Sequence, residues 1–136
     1  MTLAEKIFAL HAVFPFSRLK PEELLIVATA FTPRRFQPGQ IVCPAGEPLG
    51  HLFVKIEGDL VDARGEALPP VVGASSLLTG QQDRFTMTAG PAGYRALLLP
   101  RGKLFTVINE CPVLLTGFFQ IPMLGADYGY NATSSP

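Results

Sequence analysis

The run Arg35-Phe36-Gln37-Pro38-Gly39-Gln40-Ile41-Val42-Cys43-Pro44-Ala45-Gly46-Glu47-Pro48 sets the period of the chain. Residues 35–37 and 40–43 read as short strands, and Pro38-Gly39 and residues 45–48 as the turns that follow them. The pattern then repeats. Residues 51–57 form a strand, Gly58-Asp59 is a hairpin signal, and residues 60–64 are a return strand ending at Gly65. After a polar central segment, residues 85–88 and 94–99 supply two more strands around Gly90-Pro91. Short strands with glycine or proline at each corner predict a mainly β fold, an antiparallel jelly-roll barrel (a double-stranded β-helix) with helices at both termini.

The flanks change period. Thr2 with Glu5 is a capping box, and Leu3, Ile7, Leu10 and Phe14 follow at helical spacing. A second helix opens at Pro21, where a missing N–H costs nothing, and runs through Phe31 to stop before Pro33. Residues 14–19, with Phe14 and Phe16, form an aromatic turn that pins the two helices to the body. Residues 100–109 and 112–119 return to helical spacing. One domain over residues 1–126 is expected: helices over 3–31, a barrel over 34–99 and C-terminal helices over 100–121. Residues 127–136 read as a flexible tail.

Composition narrows the function. In 136 residues, 48% are hydrophobic and 16% charged, enough apolar matter for a core. The formal net charge is zero, and no basic stripe marks a nucleic-acid partner. The longest apolar runs fall short of the roughly twenty residues of a membrane span, and the N-terminus lacks the features of a secretory signal. The expected location is the cytoplasm. Cys43 and Cys111 stand apart from metal-ligand spacings and read as small buried residues. His11 and His51 lack the clustered carboxylates of a metal enzyme, and no serine has a nearby His–acid pairing in sequence. A catalytic, metal or cofactor role is therefore not expected.

These residues, taken in order, resemble the cyclic-nucleotide-binding domain family. Leu10-x-x-Val13-x-Pro15-Phe16-x-x-Leu19-x-x-Glu22-x-Leu24 is similar to the family's opening helix, turn and helix. Phe36-x-Pro38-Gly39-x-x-Val42-x-x-x-Gly46 resembles its first strand-turn-strand, and Leu52-Phe53-Val54-x-Ile56-x-Gly58-Asp59 its strand-and-glycine hairpin. Residues 73–84 fall on its phosphate-binding cassette, and Leu97-x-Leu99-x-Arg101-x-x-x-Phe105 on its closing strand and helix. Leu77-Leu78-Thr79-Gly80 followed by Arg84-Phe85-Thr86 resembles the branch joined to CBS domains and a predicted nucleotidyltransferase.

The resemblance implies a non-enzymatic regulatory module whose ligand is a cyclic nucleotide, cAMP or cGMP, or a similar phosphate-bearing molecule. Its ligand residues would be Val72, Gly73, Ala74, Ser75, Ser76, Arg84, Phe85 and Thr86. The chemistry agrees: amides at a helix start and one guanidinium suit a singly charged phosphodiester. Ala74 departs from the family, whose tight binders carry glutamate there to accept from the ribose 2′-hydroxyl. Losing that charged acceptor costs roughly 1.5–3 kcal/mol, about ten- to a hundred-fold in affinity. Phe85 departs too, where a small residue usually follows the arginine; a phenyl ring there stacks on a base or fills the core. A third departure is the short join over residues 68–72, whose paired prolines replace a longer loop. The alternative is a degenerate barrel that serves dimerisation or domain docking and binds no nucleotide. The apolar stretch over residues 113–126 fits a homodimer built through the C-terminal helix, or a fold-back on the barrel with Pro122 at the bend.

Overall fold

The computed structural model describes residues 1–81 and 85–120. Helix α1, Leu3–His11, opens on the expected capping box: the Thr2 hydroxyl accepts from the Glu5 amide at 3.1 Å, and the Glu5 carboxylate accepts from the Thr2 amide at 2.9 Å. It ends at His11, so Phe14 lies beyond it. Helix α2, Pro21–Ala30, starts on Pro21 and is capped by Glu23, which accepts from the Lys20 amide at 2.9 Å. The Lys6 ammonium donates to the Phe31 carbonyl at 2.9 Å, satisfying a group that the end of α2 leaves open.

Between them, a single 3-10 turn over Phe16–Arg18 carries a fully buried ring. Phe16 meets Phe31 edge-on at 5.6 Å and Phe118 at 5.8 Å. The aromatic turn therefore joins α2 to the last described helix, and a ring buried this fully is worth about 3–5 kcal/mol against alanine. The fit there is close, because a Cβ on Gly117 would collide with Pro15.

Among the described residues five strands form one antiparallel sheet. They are β1 (Thr32–Phe36), β2 (Ile41–Cys43), β3 (His51–Val61), β4 (Val71–Val72) and β5 (Met87–Pro100). Among the described residues the path runs β1-β5-β3-β4, with β2 also on β5, and the sheet does not close into a full barrel. The fourteen-residue β5 is the spine. Its outer edge takes β1 and β2, and its other edge takes β3.

Here the strand boundaries expected from sequence change. Gly58-Asp59 is no hairpin, and residues 51–61 are one strand. Gly90-Pro91 is no corner either, and residues 87–100 are one strand that starts at Met87 rather than Phe85. The glycines serve a crossing instead. Gly58 pairs with Tyr94, Leu60 with Ala89, and the register shifts between them. At the shift a Cβ on Gly58 would collide with the Gly93 carbonyl, and both glycines take positive φ, +71° and +82°. The true turn comes later, over residues 62–66, where the buried Asp62 carboxylate accepts from the Arg64 and Glu66 amides at 2.8 and 3.0 Å. β1 also begins at Thr32, with Pro33 tolerated because β1 is an edge strand.

The register puts Leu52, Val54, Leu97 and Leu99 on one face of the β3–β5 pair and Phe53, Leu98, Tyr94 and the β1 residue Phe36 on the other. All eight are buried, which is why these strands read as continuous apolar runs. Tyr94 lies against Phe36 and Phe53, its hydroxyl is buried without a partner among the described residues, and burial pushes its pKa upward. Cys43 and Cys111 are both buried, and burial raises the Cys111 thiol above its ordinary pKa.

Helices α3 (Ala74–Thr79), α4 (Arg101–Glu110) and α5 (Val113–Gln120) complete the described fold. On α5, Leu114, Gly117 and Phe118 face inward while Val113, Leu115 and Phe119 are exposed. Pro122, the bend of the expected fold-back over residues 113–126, lies outside the described residues, as do the rest of that stretch from 121 and the tail 127–136.

Gly58→Ala should lower stability by about 2–5 kcal/mol, the sum of a left-handed backbone and an overpacked crossing. Gly46→Ala, at φ +82° with open space around it, should cost only about 1–2 kcal/mol. Urea unfolding of both variants measures the difference, and equal losses would remove the crossing as its cause.

Candidate ligand site

Strand β4 delivers the chain to a tight turn. Val71 and Val72 pair with Val54 and Phe53, and the next residue, Gly73, takes φ +106°. A Cβ there would lie 3.0 Å from the His51 carbonyl oxygen and 3.3 Å from a Leu49 methyl. The dihedral and the close approach together favour glycine. The Gly73 carbonyl accepts from the Leu77 amide at 2.9 Å, which opens α3. Inside that helix the amides of Ala74 and Ser75 have no carbonyl four residues back.

The helix is short and held at both ends. Leu77 is buried at its centre, and Gly80, at φ +77°, closes it by donating to the Ser76 carbonyl at 2.8 Å. Arg101, the first residue of α4, donates through its Nε to the Leu77 carbonyl at 3.2 Å. Its backbone amide donates to the Gly50 carbonyl at 3.0 Å, and its guanidinium lies 5.4 Å from the Phe105 ring centroid. Residues 49–51, the turn at Gly73 and the start of α4 thus meet at one corner.

Val72 is buried in β4, Gly73 and Ala74 and Ser75 are half-buried at the helix start, and Ser76 is buried. Phe85 is buried in the hydrophobic core, the second of the two roles its ring could play. Thr86 accepts from the Ala45 amide at 3.2 Å, tying the chain after the site to the loop between β2 and β3. Arg84, with Gln82 and Asp83, lies outside the described residues. The structure therefore brings Val72, Gly73, Ala74, Ser75 and Ser76 together at the His51 corner and describes nothing of the expected cation. Reading the sequence places Arg101 only within the closing strand-and-helix pattern; its bond to Leu77 had no signal in sequence, because it joins residues 24 apart.

Among the described residues no three His, Cys, Asp or Glu side chains come together as a metal site, and no described helix is long and apolar enough to cross a membrane. His51 is half-buried, and its pKa is held below the ordinary 6.5, first by burial and then by the Arg34 charge.

That shift has a fixed sign. The unfolded chain takes up a proton at the ordinary value, and the folded chain only at a lower pH. The stability His51 contributes is whole above 6.5 and is lost as the pH falls from there through the folded pKa. His51→Gln should remove this part of the acid dependence, read as the difference between the two melting-temperature profiles from pH 7.5 to 5. Parallel profiles would contradict the assignment.

The sequence matches no protein-family model and no curated protein. Solved structures match it in shape. The regulatory subunit of a cAMP-independent protein kinase A from Trypanosoma cruzi, bound to guanosine, superposes with a TM-score of 0.70 at 20% identity, over 97% of this chain and 51% of that one. The regulatory domain of Toxoplasma gondii protein kinase A with cAMP gives 0.63 at 18% identity, over 80% of this chain and 45% of that one. The catabolite activator protein of Thermus thermophilus gives 0.62 at 20% identity, over 74% and 52%. This chain spans about half the length of each of these proteins. At such identities the likeness is one of fold, and that fold is the jelly roll of the cyclic-nucleotide-binding domain.

Proposed function

We propose that this chain is a non-enzymatic regulatory module that senses a cyclic nucleotide or a similar phosphate-bearing ligand. The observation that carries the reading is the turn at Gly73, a left-handed glycine backed by the His51 carbonyl at the start of α3. A turn of this kind leaves the first amides of a helix without internal partners, where an anion is the favoured occupant. Arg84 would supply the countercharge, and Val72, Ser75, Ser76 and Thr86 the walls. Of the ligands named for the structural neighbours, cAMP in one carries a phosphate and guanosine in another does not; together they support a ligand built on a nucleoside.

The methyl of Ala74 offers no acceptor to a ribose hydroxyl, so ordinary cAMP would bind weakly, and specificity would be altered. Occupancy regulates only if two states differ in affinity for the ligand. The bond from Arg101 to the Leu77 carbonyl supports a route: a shift of α3 would be felt at α4. A second reading, a scaffold without nucleotide that pairs as a homodimer or docks another domain, is favoured by the exposed Val113, Leu115 and Phe119 on α5.

Calorimetry with cAMP and cGMP separates the two. Arg84→Ala should weaken binding at least about tenfold, and Ala74→Glu should tighten it about ten- to a hundred-fold. Equal binding by wild type and Arg84→Ala would take the guanidinium out of the site. No heat from any variant, Ala74→Glu included, would leave the scaffold reading.

A further inference from the structure

A groove of about 310 Å³ opens where the chain leaving α1 passes the lead into β4. It is lined by Ala12, Val13 and Phe14, by Pro69, Pro70 and Val71, and by Gln120, and the surface it exposes is mainly apolar. Ala12 and Pro70 are exposed, and Val13, Phe14 and Pro69 are half-buried. The space equals about ten waters at about 30 Å³ each, enough for more than one aliphatic side chain.

Much of the backbone along the groove is already bonded. The Val13 amide donates to the Leu10 carbonyl at 3.0 Å, and the Val13 carbonyl accepts from the Ser17 amide at 2.9 Å. On the other side the Pro70 carbonyl accepts from the Lys55 amide at 2.8 Å, and Val71 pairs with Val54 in the sheet. The two prolines have no N–H to offer. Gln120 carries the one polar side chain among the described lining residues, so the groove suits an apolar occupant.

The chain itself brings one. Helix α5 ends at Gln120, on the groove, and the sequence continues Ile121-Pro122-Met123-Leu124. The end of α5 is held close by: Phe118 meets Phe16 at 5.8 Å, and Gly117 packs on Pro15, the residue after Phe14. We infer that residues 121–124 fill this groove, with Ile121 and Met123 entering it. The residue before a proline disfavours helix and takes an extended form, and in an extended chain alternate side chains share a face. Four extended residues reach about 14 Å at most, which keeps the segment beside the groove. The tether also gives it an effective concentration on the order of millimolar, which the same segment of a second copy does not have in dilute solution. Docking there ties the C-terminal run to Val71, two residues before Gly73, and leaves Val113, Leu115 and Phe119 of α5 uncovered. The inference is independent of the nucleotide reading.

The chain has three methionines, Met1, Met87 and Met123, so carbon-13 labelling of the methionine methyls gives three signals. Met123→Leu assigns the third. In the intact chain, nuclear Overhauser contacts should run from the Met123 methyl to Phe14 and Pro70. Pro70→Asp, at an exposed side chain, puts a carboxylate in the groove and should abolish them, while the buried Met87 methyl keeps its shift. Mixing deuterated, methyl-labelled copies with unlabelled ones should remove the contacts as well, because only contacts between copies survive there. The inference is overturned if the Met123 methyl touches none of residues 12–14 and 69–71, or if it meets residues 73–76 instead. Contacts that persist in the mixture, which would assign the groove to a second copy, or that outlast Pro70→Asp, overturn it too.

Discussion

The contact between the Gly73 backbone and the His51 carbonyl is the constraint on which the described site depends. A Cβ there would stand 3.0 Å from that oxygen, closer than an ordinary contact, and the positive φ of +106° disfavours residues other than glycine. Because the chain passes so close to the first residue of β3, it turns at once into α3 and leaves that helix's first amides at the surface of the corner. The same corner receives Arg101, whose backbone bonds Gly50 and whose side chain bonds Leu77. One close approach thus fixes a strand end, a short helix and the first turn of α4.

The sheet supports that corner through a second close passage, between Gly58 and Gly93. There β3 and β5 stay paired across a register shift, so that both remain long strands instead of breaking into hairpins. Long strands suit the packing. Their Leu52–Val54 and Leu97–Leu99 segments are buried on both faces, one holding the aromatic group of Phe36, Phe53 and Tyr94. The sheet remains open, and its rim is where the turn at Gly73 and the loop between β2 and β3 stand side by side.

Much of this was legible in the residues. The capping box of Thr2 and Glu5, the start of α2 at Pro21 and the aromatic pin at Phe16 are local signals, and local chemistry decides them. The jelly-roll class was legible from the spacing of strands and corners. Gly58 and Gly90 were misread as corners because a glycine that bends a chain and one that lets two strands pass look alike in sequence. Only the pairing of Gly58 with Tyr94, 36 positions on, distinguishes them. For the site, the glycine at 73 and the helix after it could be read from the order of residues. The backing by His51 and the latch from Arg101 could not, since both join distant segments. Phe85 was an open choice between ligand and core, and its burial places it in the core.

Fold and function separate cleanly at this site. The jelly roll follows from packing alone; the proposed sensing depends on what the amides at the corner attract. The most direct measurement is a proton–nitrogen NMR titration of the intact chain with cAMP, following the backbone amides of Ala74, Ser75 and Ser76. Saturable downfield shifts led by these three, with smaller changes at Leu77 and Arg101, are the result the account predicts. Shifts that saturate elsewhere and leave the Ala74 and Ser75 amides unmoved would contradict it.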